Sequence, residues 1–259
     1  MPDLHLRLQD DDGEESYAQT ELPEDEALRL LTDAEITAAS LVPWGSNYTF
    51  AIALETGVEG KRDHMAIYKP RRGERPLWDF PVGTLSHRER AAYLLSKRLG
   101  WHLVPPTVLR DGPHGSGSVQ LYVEPHPDHE DDHRFWGQRR PEIERMVAFD
   151  LITNNADRKL AHCLVSTSGR LWGIDHGLTF NVEPKLRTVL WQYNELPINQ
   201  AVLEDLVGLT EDADAVRAEF DGLLAPDELD AFFARVDELV DCGVFPELDP
   251  YQNVPYGWW

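Results

Sequence analysis

Residues 154–180, NNADRKLAHCLVSTSGRLWGIDHGLTF, hold two acids in settings that suit chemistry. Asp157 follows a helical apolar pattern and opens Asp-Arg-Lys, and Asp175 ends the apolar run LWGID just before His-Gly. A carboxylate placed like Asp157 can orient a hydroxyl and take its proton, with no raised pKa required where positioning dominates. One at a strand end, like Asp175, is a hard oxygen donor for Mg²⁺ or Mn²⁺. His162 stands five residues after Asp157, where a second metal ligand could sit. Two turn caps and a structural histidine are the plainer alternative, and the local sequence leaves both open.

A phosphoryl-transfer site also needs a loop over the phosphates, a lysine on a strand and an acid to hold that lysine. PWGSNYTF (43–50) precedes a strand pattern, and its Ser46 and Asn47 can donate hydrogen bonds to phosphate. Lys69 ends the otherwise apolar run AIYK, and Glu89 lies on the helix pattern that follows. Glu89 is equally placed to complete a capping box with Ser86. Motifs for other chemistries are missing: there is no GxxxxGK[ST], HExxH, GxSxG or dinucleotide-binding glycine pattern. The cluster of His126, His129 and His133 with Asp128, Glu130, Asp131 and Asp132 reads as a solvated loop.

These residues need elements to carry them. DEALRLLTDAEITAAS (25–40) has a helical stripe of Leu28, Leu31 and Ile36. Strands are expected over 47–57, 64–70 (stopped by Pro70) and 118–124, and a helix over 86–100, ended by Gly100. The polar run 125–141 is a lobe boundary, followed by a helix over 141–155 and a hairpin over 162–175. Two amphipathic helices, PINQAVLEDLVGL and DELDAFFARVDELVDCG, then dominate. The order implies an α+β chain: an acidic arm (1–25), a small sheet lobe (26–124) and a mostly helical lobe (125–259).

The formal net charge of −22 disfavours nucleic acid and anionic lipid as partners. No apolar run of membrane-spanning length occurs and the N-terminus has no signal pattern, so a cytoplasmic protein is expected. Cys163 and Cys242 are too few for a disulfide framework or a four-cysteine zinc site, and both are expected to be free and buried.

AIYKPRRGERP, RERAAYLLSKRLGWHLVPPTVL, NNADRKLAHCLV and GIDHGLTF, in that order, resemble the lipid-kinase-like branch of the kinase superfamily. That branch holds the phosphatidylinositol 3- and 4-kinases, the type II phosphatidylinositol 4-kinases and the HipA-type kinases. The chain is most similar to the actinobacterial phosphatidylinositol 3- and 4-kinase-like proteins. The resemblance spans roughly residues 43–195. It implies a bilobal protein-kinase-like fold and ATP with Mg²⁺ or Mn²⁺ as cofactors. It implies Lys69 on the α- and β-phosphates, Glu89 as its ion-pair partner, and Gln120, Leu121, Tyr122 and Val123 beside adenine. Asp157 becomes the catalytic acid and Asp175 the metal-binding acid, with Asn155 fitting an Asn-x-Asp pattern. Two departures stand out. His162 replaces the metal-binding Asn of many relatives, which favours Mn²⁺ over Mg²⁺, and Asp-His-Gly replaces Asp-Phe-Gly.

The implied activity is transfer of the γ-phosphoryl of ATP to a hydroxyl of a soluble metabolite or a protein. A nucleotide-binding pseudokinase and an AMP transferase are the alternatives. Lys185 and Arg187, or Arg71, Arg72 and Arg75, could dock an anionic substrate group. No basic amphipathic helix, polybasic tail or lipidation motif supports stable membrane association.

Overall fold

Short runs of β-branched, aromatic and small apolar residues build an antiparallel sheet, and amphipathic helices supply the rest. The computed structural model describes residues 22–43, 47–55, 57, 64–126 and 139–256. The chain separates into two compact units, Met1–Ser86 with Pro105–Glu124 and His87–Val104 with Pro125–Trp259.

The first unit begins with helix α1 (Glu24–Asp33) and strand β1 (Ile36–Leu41). Strands β2 (Phe50–Leu54), β3 (His64–Pro70), β4 (Thr107–Gly112) and β5 (Gly115–Leu121) complete a sheet of order β1-β2-β3-β5-β4. Every neighbouring pair is antiparallel. Ala27 and Leu31 of α1 pack with Ile52, Leu54, Ala66 and Tyr68 of the sheet. The expected helix over 25–40 is therefore two elements. Ala34 adopts an extended conformation and ends α1, and Ile36 to Leu41 pair with β2 instead. β-Branched Ile36 and Thr37 suit that pleated surface better than a helix.

Within β3, alternation sends Tyr68, fully buried, to the core face and Lys69 to the other. Lys69 pairs with Ser118, and Pro70 with Gly117. A Cβ at Gly117 would lie 2.3 Å from the Lys69 carbonyl oxygen and 2.7 Å from the Pro70 Cα, so this register requires glycine there.

Helix α2 (Leu85–Arg98) starts in the first unit and belongs to the second from His87 onward. Gly100, at φ 65°, follows its end. The second unit continues with α3 (Arg140–Thr153), the hairpin of β6 (Cys163–Val165) and β7 (Leu171–Gly173), α4 (Gln200–Glu211), α5 (Ala213–Glu219) and α6 (Pro226–Cys242). Buried Phe180 packs its ring against those of Phe220 and Phe232 in tilted contacts. The guanidinium of Arg88, on α2, is buried. It donates to the Thr179 carbonyl at 2.6 Å and pairs with Glu228 of α6. Cys163 is buried, as expected. Cys242 is exposed, because the last residue of α6 turns away from the apolar face of that helix. Among the described residues no helix is long and apolar enough to cross a membrane.

Candidate functional site

The spacing between Asp157 and Asp175 is explained by the β6–β7 hairpin. Cys163 pairs with Gly173, so the residue before β6 and the residue after β7 meet, and the Ile174 N–H donates to the His162 carbonyl at 2.9 Å. His162 Nε2 lies 3.5 Å from an Asp175 carboxylate oxygen. The His162 Nδ1 faces the Asp157 carbonyl at 2.8 Å, which fixes it as the N–H end of the ring. Nε2 is then the lone-pair end, aimed at Asp175. Burial lowers the His162 imidazole below its usual value, against the pull of Asp175, which favours the neutral ring that ligation needs. A backbone carbonyl that orients a histidine in this way is a common support for a metal ligand.

Asp157 hangs from the turn after α3. Asn154 ends that helix in the left-handed conformation, φ 53°. Its amide donates to the Asn181 and Glu183 carbonyls, and its oxygen accepts the Lys185 N–H. Asn155 donates to Asp150 at 2.9 Å and accepts the Asp157 N–H at 3.0 Å. The Asp157 carboxylate receives the Lys159 ammonium at 2.9 Å. Burial holds the Asp157 carboxyl above the usual carboxylate range, and Lys159 pulls it part of the way back.

Beneath the loop lies Arg158, fully buried. It makes two 2.8 Å bonds to Asp150, donates to the carbonyls of His162 and Ile174, and meets His176 Nε2 at 2.8 Å. Burial alone would lower its pKa, but Asp150 more than offsets this and holds the charge. One guanidinium thus joins α3, the loop, the end of the hairpin and the acid turn. Burial likewise pushes the neighbouring Cys163 thiol up to about 12, so it is no nucleophile.

Asp175 is the turning point, at φ 61°, and its side chain is half exposed. The N–H of the next residue, buried His176, donates to the Glu89 carboxylate at 3.1 Å. Glu89 is therefore an anchor of the acid turn. It does not complete a capping box with Ser86. Ser86 sits inside α2, and its N–H is taken by the Glu74 carboxylate at 3.1 Å.

In the first unit, Lys69 is half buried at the end of β3. The Asn47 side-chain oxygen accepts the Arg75 N–H at 2.8 Å. Ser46 lies outside the described residues, as do His129 and His133. The Gln120 side chain donates to Thr107 at 2.8 Å and braces β5 against β4. Leu121 and Val123 are buried, and the Tyr122 N–H donates to the Met65 carbonyl.

His162 and Asp175 together could hold one edge of a divalent cation. No group of three or more His, Cys, Asp or Glu suited to a metal occurs among the described residues. The donor set fits a cation that takes its other ligands from phosphate and water, as Mg²⁺ and Mn²⁺ do with nucleotides. Lys159, Arg158 and His176 escaped role assignment from sequence. Lys159 left a trace as the cation two residues past an acid, and His176 as the departure from Asp-Phe-Gly.

No family model matches the chain. Among solved structures, the Golgi casein kinase aligns over 84% of this chain and 73% of that one, with a TM-score of 0.53 and 15% identity. The same kinase with Mn/ADP bound aligns over 84% and 74%, with a TM-score of 0.50 and 14% identity. The Helicobacter pylori proinflammatory kinase CtkA aligns over 83% of this chain and 94% of that one, with a TM-score of 0.51 and 11% identity. The fold is therefore α+β, as the order of elements implied, and kinase-like, as the resemblance implied. In sequence, the chain is 36% identical over 275 aligned positions to Protein Rv2133c of Mycobacterium tuberculosis, covering 90% of this chain and 95% of that protein. At that identity and coverage, the chain belongs to the family of Protein Rv2133c.

Proposed function

We propose that the chain is an ATP-dependent phosphotransferase, a kinase of the atypical, phosphatidylinositol 3- and 4-kinase-like kind. It moves the γ-phosphoryl of ATP to a hydroxyl of a soluble metabolite or a protein. The carrying observation is the meeting of Asp157, His162 and Asp175 at one end of the β6–β7 hairpin, on a kinase-like fold. The Golgi casein kinase solved with Mn/ADP shares that fold, which supports nucleotide and divalent-metal use here.

In this reading the Asp157 carboxylate orients the acceptor hydroxyl. It takes the proton as the acceptor oxygen bonds to the γ-phosphorus and the bond to the β–γ bridging oxygen breaks, releasing ADP. Lys159, 2.9 Å from Asp157, is placed to steady negative charge on the moving phosphoryl oxygens. Asp175 and His162 hold the cation, which when bound neutralises phosphate charge. Lys69 contacts the α- and β-phosphates, Ser46 and Asn47 cover them, and Gln120 to Val123 adjoin adenine. The net charge of −22 supports a soluble acceptor over an anionic lipid or nucleic acid.

The test is label transfer from γ-labelled ATP with Mg²⁺ or Mn²⁺, to the protein itself and to pooled metabolites and peptides. Asp157→Asn should lower transfer by roughly 10³-fold with nucleotide binding retained. Equal transfer by wild type and variant would reject Asp157 as the catalytic acid. Transfer from α-labelled ATP run in parallel, with none from γ-labelled ATP, would identify AMP transfer, and binding with neither would mark a nucleotide-binding protein.

A further inference from the structure

After α6 the chain does not leave the second unit. It runs back antiparallel along residues 198–186. The Ile198 N–H donates to the Gly243 carbonyl, and Pro197 bridges Val244. The Phe245 N–H donates to the Leu196 carbonyl at 3.0 Å, and the Glu195 N–H to the Phe245 carbonyl at 3.1 Å. The Asn194 amide reaches the Leu248 carbonyl at 3.3 Å.

The run ends on Asn253. Its amide donates to the Leu186 carbonyl at 2.8 Å, and its own carbonyl accepts the Thr188 N–H at 3.0 Å and the Trp191 indole N–H at 3.4 Å. Its side-chain oxygen accepts the Asp249 N–H at 2.9 Å and closes the turn that presents it. Arg187 faces the other way. Its N–H donates to the Asn155 carbonyl and its carbonyl accepts the Arg158 N–H, both at 2.9 Å. Residues 186–188 therefore form one strand-like layer, with Asn253 on its outer edge and the residues flanking Asp157 on its inner edge. Tyr256 places its ring 4.7 Å from the Arg187 guanidinium.

We propose that the C-terminal segment Asp249–Tyr256 is a strap for the catalytic loop, and that Asn253 is a positioning residue that acts on Asp157 through residues 186–188. The proposal rests on Asp157 being the catalytic acid. The strap holds the acceptor-side loop in place by contacts already built into the chain.

The experiment compares the full-length wild type with Asn253→Ala and Asn253→Asp. Aspartate keeps the acceptor for the Asp249 N–H and loses the donor to Leu186. Both variants thus remove the side-chain bond of the clamp and keep its backbone bond to Thr188, and only alanine also breaks the turn. In both, amide exchange at Thr188 and tryptic cleavage after Arg187 should speed up by on the order of 10-fold. Phosphoryl transfer should fall by on the order of 10-fold while ATP affinity stays at the wild-type value. Wild-type protection in both variants overturns the clamp. Faster exchange with unchanged transfer, or ATP affinity lost in step with transfer, overturns the positioning role. Failure of the underlying kinase reading looks different. The wild type itself then transfers no phosphoryl group, which removes the positioning role, while exchange and cleavage still decide the clamp.

Discussion

Lys69 and Asp157 are held by different physics. Lys69 rides on β3, which is paired along both edges by β2 and β5 and backed by a core that buries Tyr68 completely. Asp157 rides on a loop whose place is set by buried polar groups: Asn154, Asn155, Asp150 and, above all, Arg158. A sheet spreads its support over many backbone bonds, so no one side chain decides where the lysine sits. The loop concentrates its support in a few side chains, each tied by several hydrogen bonds to one another or to the backbone beside them. Single substitutions should therefore act much more strongly beneath Asp157 than around Lys69.

The largest effect is expected at Arg158. Arg158→Met would strand the Asp150 carboxylate, itself buried, without its cation. Removing one partner of a buried pair typically destabilises by about 3–5 kcal/mol. Denaturant unfolding followed by tryptophan fluorescence should show a loss of that size, with transfer abolished. Replacing both partners, Asp150→Leu with Arg158→Met, should recover part of the stability and none of the activity. If Arg158→Met alone lost less than about 1 kcal/mol, the idea of concentrated support would fail.

The sheet has a weak point of its own, and it is a backbone one. At Gly117 an added Cβ would meet the Lys69 carbonyl at 2.3 Å, and strand backbone cannot swing aside as a side chain can. Gly117→Val should cost about 1–3 kcal/mol by overpacking and should raise the ATP concentration needed for half-maximal transfer. Calorimetric ATP titration reads the second effect. Wild-type stability and affinity in that variant would mean that β3 and β5 are not held in this register.

The same contrast explains what could be read from the chain before its structure. β3 announces itself by alternation and a closing proline, and α2 by Ala92 and Leu95 on one face, with Leu99 just past its end. The candidate residues Asp157, His162 and Asp175 could be singled out because they flank a hairpin pattern, and the β6–β7 register brings His162 and Asp175 together. β1 was misread because ITAASL is exposed for most of its length and has no buried face to impose a period of two. Its identity comes from pairing with β2, which is nonlocal. The Arg158 network left no pattern, since a buried ion pair has no periodicity. Nothing in the acidic C-terminal stretch hints that Asn253 reaches back to Leu186.

The smallest effect, and the sharpest on mechanism, belongs to His162. Its Nδ1 is committed to the Asp157 carbonyl, so substitution touches both the cation edge and the loop. His162→Asn exchanges an imidazole nitrogen for a harder amide oxygen at the same edge. Nitrogen donors favour Mn²⁺ over Mg²⁺ more than oxygen donors do, so the variant should shift relative affinity toward Mg²⁺. A change on the order of 10-fold in the ratio of Mg²⁺ to Mn²⁺ dissociation constants is expected, about 1.4 kcal/mol. Spin-resonance titration of Mn²⁺ with a non-hydrolysable ATP analogue, with Mg²⁺ as competitor, measures that ratio without relying on turnover. An unchanged ratio would remove His162 from the cation's ligands and leave Asp175 as the protein's sole donor from this pair. A shifted ratio with stability held within about 1 kcal/mol would separate the ligand role from the loop-bracing one, because the bracing bond alone is worth no more than that.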